Sequence, residues 1–202
     1  NLLKNNVENL KLHKKKKILF INPGWEQQPL VDYLYNKNYI LIGILEKKNE
    51  FIKYFKKIYY SDLRNLNKIL SFAKMIKPNA VISDQCDYSM IAQAIIAEVL
   101  KLNGPSLENA QISSNKLIQR RLCKKLGIRI PNFTYGHTLS EVIKKTKKLN
   151  YPLIIKPIDN RGSFGVFKLN DQNDLSKFFY QSISMSHSRT VIVEEFIEGL
   201  HL

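Results

Sequence analysis

Tyr151-Pro-Leu-Ile-Ile-Lys-Pro-Ile-Asp-Asn-Arg-Gly-Ser-Phe-Gly-Val166 decides how the rest of the chain is read. A short apolar run ends in Lys156, a polar loop with two glycines follows, and a second apolar run begins at Gly165. Strand, loop and strand is the natural parse of that pattern. A cation at the end of a strand, beside a turn whose backbone amides are open, suits an anion of the polyphosphate kind. By itself, a lysine after an apolar strand is usually a solvated charge.

Outward from this segment, the second half alternates short elements. Ser113 or Ser114 is expected to cap a helix running to Leu126 and stopped by Gly127. Leu139–Leu149 reads as a short basic helix, Pro152–Pro157 as a strand and Gly165–Leu169 as its partner. Asp174–Ser184 reads as a helix and Thr190–Ile197 as the last strand. These elements make an α+β half on an antiparallel sheet.

The first half has a different rhythm. Lys17–Asn22, Tyr39–Leu45, Lys57–Tyr60 and Ala80–Ser83 are compact apolar runs. Leu30, Val31, Leu34 and Tyr35 fall at helical spacing, as do Leu63, Leu66, Ile69, Leu70, Ala73 and Ile76 before Pro78. Ser89–Leu102 is a strongly apolar helix closed by Asn103-Gly-Pro. Alternation of this kind predicts an α/β fold, a parallel sheet with helices on both faces. Ligands of such sheets sit at the carboxyl ends of the strands. Asn22–Gln28 and Ser83–Tyr88 are the candidate loops. Asn22-Pro-Gly-Trp lacks the spaced glycines of a dinucleotide fingerprint, which excludes a nicotinamide reading. Asp84, Gln85 and Asp87 either bind substrate or cap the next helix, and the cap is favoured.

Composition sets outer bounds. The chain has 202 residues, 44% of them hydrophobic, enough for a core. No run approaches the ~20 apolar residues of a membrane span, and no apolar stretch of the secretory kind opens the chain. Cys86 and Cys123 form neither a disulfide framework nor a metal quartet, so a reducing, cytoplasmic setting is expected. Thirty-two basic against 17 acidic residues give a net charge of +15. That field favours anionic partners. The lysines are spread, and only Lys14–Lys17 form a dense run without interleaved aromatics, so nucleic acid is not the expected partner.

Three features recur in a fixed order: Asn115-Lys116 opening a helix, Leu153-Ile-Ile-Lys156 before the glycine loop, and Val193-Glu-Glu-Phe-Ile197. Lys156 stands 40 residues after Lys116 and 38 before Glu194. With Asn103-Gly-Pro-Ser-Leu-Glu-Asn-Ala110 and Leu126-Gly-Ile-Arg-Ile-Pro131, they resemble the ATP-grasp superfamily, in particular carbamoyl-phosphate synthetase, biotin carboxylase and the purine carboxylases. The resemblance runs from residue 16 to 202. It implies an N-terminal arm (1–15), a Rossmann-like pre-ATP-grasp domain (16–105), and a linker helix with the small ATP-grasp subdomain (106–202), the C-terminal subdomain being missing.

The resemblance also implies roles. Lys116 and Lys156 approach the ATP phosphates, and Arg161, Gly162, Ser163, Phe164 and Gly165 form the loop over them. Relatives often carry more glycine or serine there, so Phe164 is a departure. Glu194, Glu195, Phe196 and Ile197 form the adenine hinge, the Glu195 carbonyl accepting from the exocyclic amine and the Ile197 amide donating to the ring. Leu153–Ile155 would wall the base, and His201 either meets the ribose or is merely exposed. Catalytic residues are not assigned. No metal ligand is expected in this chain, and the carboxylates for Mg²⁺ are expected beyond Leu202. The implied activity is an ATP-dependent ligase with carboxylate and amine substrates, no membrane partner, a homodimer through the first domain, and a fragment that is inactive alone. The alternative is a non-catalytic nucleotide- or polyanion-binding protein with a basic surface.

Overall fold

Four apolar strands, β1 (Lys17–Ile21), β2 (Ile40–Leu45), β3 (Lys57–Tyr60) and β4 (Ala80–Ile82), form a parallel sheet in the order β3-β2-β1-β4. The coordinates are a computed structural model and describe residues 15–83 and 87–199, with the side chains of Asp87 and Tyr88 outside that description. The expectations for the 1–14 stretch, Asp84, Gln85, the Asp87 side chain and His201 therefore fall outside the described residues. The chain divides into two compact units between Leu107 and Glu108.

In the first unit both sheet faces are covered, which is why its strands read as unbroken apolar runs. Leu19, Ile21, Ile42, Ile44 and Val81 pack under helices α2 (Leu66–Ile76) and α3 (Asp87–Leu100). Ile18, Phe20 and Leu41 face the other way, against Val31 of helix α1 (Gln28–Asn36), Phe51 and Phe55. Asn65 caps α2 by accepting from the Lys68 amide (3.1 Å), so the helix starts after Leu63, which is buried but lies in the preceding turn. Between β2 and β3 the crossover is a 3-10 turn, Glu50–Tyr54, capped by Asn49. Gly43 makes room for it: a Cβ there would lie 3.2 Å from the Phe55 ring.

The second unit opens with helices α4 (Leu107–Ser114) and α5 (Lys116–Lys125). The expected cap of α5, Ser113 or Ser114, is corrected by the fold. Asn115 is the cap of α5, accepting from the amides of Leu117 (3.0 Å) and Ile118 (3.1 Å), while the hydroxyls of Ser113 and Ser114 bond back to the Ala110 carbonyl. An asparagine in extended conformation breaks the run because its side chain satisfies the orphan amides of the next helix. Gly127, at φ +71°, follows the end of α5 as expected.

Strands β5 (Phe133–Gly136), β6 (Leu153–Pro157), β7 (Phe167–Leu169) and β8 (Val191–Glu195) form an antiparallel sheet ordered β5-β8-β6-β7. Three strands are shorter than their sequence limits: β6 begins at Leu153, β7 begins at Phe167, and β8 runs only from Val191 to Glu195. One face of the sheet is dry. Leu153, Ile155, Leu169, Val191 and Val193 pack on Val142 of helix α6 (Leu139–Thr146) and on Leu175 and Phe179 of helix α7 (Gln172–Ser184). At the start of α6, Glu141 accepts from the His137 amide (2.9 Å) and from Lys145 (2.5 Å), and these bonds hold its carboxyl below the usual glutamate range. The opposite face is half covered: α5 sets Leu117 against Ile158 and Ile192, beside Phe133 and Tyr135.

Candidate functional site

The uncovered half of that second face collects the polar side chains. Alternation along β6 and β8 sends odd-numbered residues into the dry core and even-numbered ones to the α5 side. Register places Phe133, Glu194, Ile154 and Lys168 in one row across the sheet, and Tyr135, Ile192 and Lys156 in the next. Lys156 therefore stands one residue pair away from Glu194 on the same face, and the two meet at 2.5 Å. Lys168 reaches over the ring of Phe196, 4.0 Å from its centroid. Leu153 and Ile155, expected to wall a base, are fully buried on the dry side, so only Ile154 of that run faces Lys156.

Glu194 is not a surface charge. Its side chain is 5% exposed, and Arg120 of α5 grips it from the other side: Nε donates to Oε1 (2.6 Å) and Nη2 to Oε2 (3.3 Å). Lys156 is 18% exposed and Arg120 24%. A buried carboxylate is tolerated when it is paired and hydrogen-bonded. Here two cations face one anion, so the half-buried cluster keeps an excess positive charge.

Lys116 and the loop are tied together at their bases. The Lys116 amide donates to the Ile158 carbonyl (2.8 Å) and its Nζ to the Asn160 carbonyl (2.5 Å). Asp159 accepts from Ser186 Oγ (2.6 Å) and from the amides of His187 (3.1 Å) and Ser188 (2.7 Å), and Asn160 Nδ2 donates to the Met185 carbonyl (2.9 Å). Arg161, Gly162, Ser163 and Phe164 project beyond these anchors and are exposed. Two turns shape them, closed by Phe164 N to Arg161 O (3.3 Å) and Val166 N to Ser163 O (3.2 Å). Gly162, Ser163 and Gly165 take φ of +62°, +58° and +77°. At Gly165 a Cβ would also sit 2.9 Å from Pro157 and 3.1 Å from Met185, so glycine is required there.

At the other end of β8, the Glu195 amide donates to the Asn132 carbonyl (3.0 Å) and the Phe196 amide to the Pro152 carbonyl (2.9 Å). Ile197 lies past these bonds and is exposed. Lys156, Lys116, the loop and Glu194 are thus brought together in one unit, with Phe196 and Ile197 following the end of the strand that carries Glu194. Arg120, Asp159 and Asn160 escaped the sequence reading. Arg120 had a signal, since it lies one helical turn after Lys116 on the same face of α5. Asp159 had none, because its partners follow a helix that only the fold brings alongside.

In the first unit, Asn22–Gln28 lies at the carboxyl end of β1. Asn22 takes φ +49° and accepts from the Glu46 amide (3.4 Å), Pro23 accepts from Asn49 Nδ2 (3.2 Å), and Trp25 is exposed in a 3-10 turn, Trp25–Gln27. Among the described residues, no group of three or more His, Cys, Asp or Glu could hold a metal ion. No described helix is long and apolar enough to cross a membrane.

Residues 122–202 match the family model described as D-ala D-ala ligase C-terminus. A formate-dependent phosphoribosylglycinamide formyltransferase of Prochlorococcus marinus is 28% identical over 146 residues, 67% of this chain and 35% of that protein. The crystal structure of an L-amino acid ligase from Bacillus licheniformis superposes over 92% of this chain and 45% of its own, with a TM-score of 0.72 at 17% identity. In sequence and in fold the chain is thus similar to ATP-grasp ligases. N5-carboxyaminoimidazole synthetase from Staphylococcus aureus, complexed with ADP, superposes over 91% of this chain with a TM-score of 0.71 at 15% identity. The chain spans about a third of the formyltransferase and just under half of the two solved structures.

Proposed function

We propose that this chain supplies the ATP-binding part of an ATP-dependent ligase that activates a carboxylate as an acyl-phosphate. The observation that carries the reading is the cluster at the end of β6. Lys156, the glycine loop and the α5 N-terminus converge on the half-covered face of one sheet, and Glu195–Ile197 leads out of that sheet at the end of β8. Residues 16–105 are then the pre-ATP-grasp domain, and residues 106–202 the linker helix and small subdomain.

In the proposed reaction a carboxylate oxygen attacks the γ-phosphorus of ATP, the bond to the β-phosphate oxygen breaks and ADP leaves. An amine or another nucleophile then attacks the acyl carbon, phosphate departs with the bonding pair, and the nucleophile gives up its proton. Such transfers depend on positioning and on stabilising charge as it moves. Lys156 and Lys116 serve the phosphates as mobile point charges. Amides of Arg161–Gly165 line the phosphates in turns that already hold positive φ. The Glu195 carbonyl and the Ile197 amide read the adenine edge, and His201 is assigned to the ribose. Mg²⁺ is proposed only as a companion of the nucleotide's phosphates. The described residues offer no carboxylate cluster for it, and no step above passes through it. The substrates are small molecules and the compartment the cytoplasm.

Calorimetric titration with ATP tests the assignment. Weak binding is expected, and Lys156→Ala should reduce the affinity about tenfold or more, the worth of a charge-assisted hydrogen bond. Unchanged affinity removes Lys156 from the site. The polyanion alternative makes a different forecast: duplex DNA binding that falls steeply with salt and is lost on replacing Lys144 and Lys148, which line a cavity of about 600 Å³ beside β5 and α6.

A further inference from the structure

Lys116 and Arg120 project from successive turns of α5 but do different things. Lys116 is turned to the base of the loop, whereas Arg120 reaches to the sheet and holds a carboxylate that also holds Lys156. Among the described residues, Oε1 of Glu194 accepts from Arg120 Nε (2.6 Å), and Oε2 is shared between Arg120 Nη2 (3.3 Å) and Lys156 Nζ (2.5 Å). With its side chain only 5% exposed, Glu194 has little water to turn to when one partner leaves.

A buried lysine and carboxylate left to themselves make a closed, neutral pair. Attraction between them is strong where water is scarce, and an incoming phosphate must break it while stranding the carboxylate. A guanidinium changes both terms. Its planar fork satisfies Glu194 through two donors whether or not the lysine stays. It also leaves the cluster with one positive charge in excess, which only an anion can balance.

We propose that Arg120 is a positioning residue that releases Lys156: by holding Glu194, it leaves the lysine able to swing onto a polyphosphate. The proposal rests on the nucleotide reading of the site for its purpose, but not for its physics. Arg120 itself need not touch the ligand.

The test has one arm without ligand and one with ATP, both on the full chain. In the first, acylation of Lys156 by a small N-hydroxysuccinimide ester is followed by mass spectrometry, with exposed Lys177 as the internal reference. Arg120→Gln should slow Lys156 several-fold as Glu194 closes on it. Arg120→Gln/Glu194→Gln should restore or exceed the original rate, and Arg120→Lys should fall between. In the second arm, ATP affinity should drop about tenfold in Arg120→Gln and recover in the double variant. A merely structural arginine gives no such recovery, because the second substitution would add damage. Unchanged Lys156 reactivity in Arg120→Gln, or no recovery in the double variant, overturns the proposal. If circular dichroism shows Arg120→Gln unfolded, Glu194→Gln alone decides: faster Lys156 acylation supports the proposal and an unchanged rate refutes it. If the reactivity pattern holds while the unaltered chain binds no ATP, the nucleotide reading fails and the release of Lys156 by Arg120 stands.

Discussion

At the residue scale, the site is a set of local conflicts settled by particular side chains. Glu194 places a charge in a sheet whose neighbours Val191, Ile192 and Val193 are fully buried, and it survives because Arg120 and Lys156 converge on it. Lys156 was legible in the sequence, since a lysine between an apolar run and a glycine loop is a local pattern. The burial of Glu194 was not, because it depends on a helix 74 residues earlier in the chain. Gly165 is the other residue with no substitute. Gly165→Val combines a left-handed backbone with a Cβ inside contact distance of Pro157 and Met185. It should lower the stability of the second unit by about 1–3 kcal/mol, measured by urea denaturation. A change near zero would show that the loop base is free to rearrange.

At the element scale, the buried strands and the edge strands β3, β4 and β7 were legible, whereas β5 was not. β1 and β2 carry continuous apolar runs because both of their faces are covered, and periodicity finds such runs. Phe133–Gly136 escaped because it is four residues long and only Gly136 is buried; it becomes β5 by pairing with β8. Helix α4 also escaped, and the cap of α5 was left between serine and asparagine, which compete for the same role. The amides of Leu117 and Ile118 choose Asn115. Asn115→Ala should therefore cost about 1 kcal/mol in thermal or chemical unfolding, whereas Ser114→Ala should change little. Equal effects would place the cap wrongly. Since Lys116 follows the cap directly, the same substitution should loosen its hold on the Asn160 carbonyl.

At the scale of the whole molecule, the two units carry different kinds of sheet, and the change of rhythm near Pro105 is where composition shows it. The parallel unit offers loops at its strand ends. The antiparallel unit offers a half-covered face on which cations, a strained loop and a strand end meet. A net charge of +15 is compatible with many anions and chooses none of them; the proposed choice rests on the arrangement at β6 and β8. The central claim is that nucleotide lies along this face, phosphates toward Gly162–Gly165 and base toward Glu195–Ile197. Amide chemical shifts during an ATP titration read both ends at once. The account predicts concerted shifts in Arg161–Gly165 and Glu195–Ile197, lost together in Lys156→Ala. Shifts confined to α6 and β5, around Lys144 and Lys148, would contradict it.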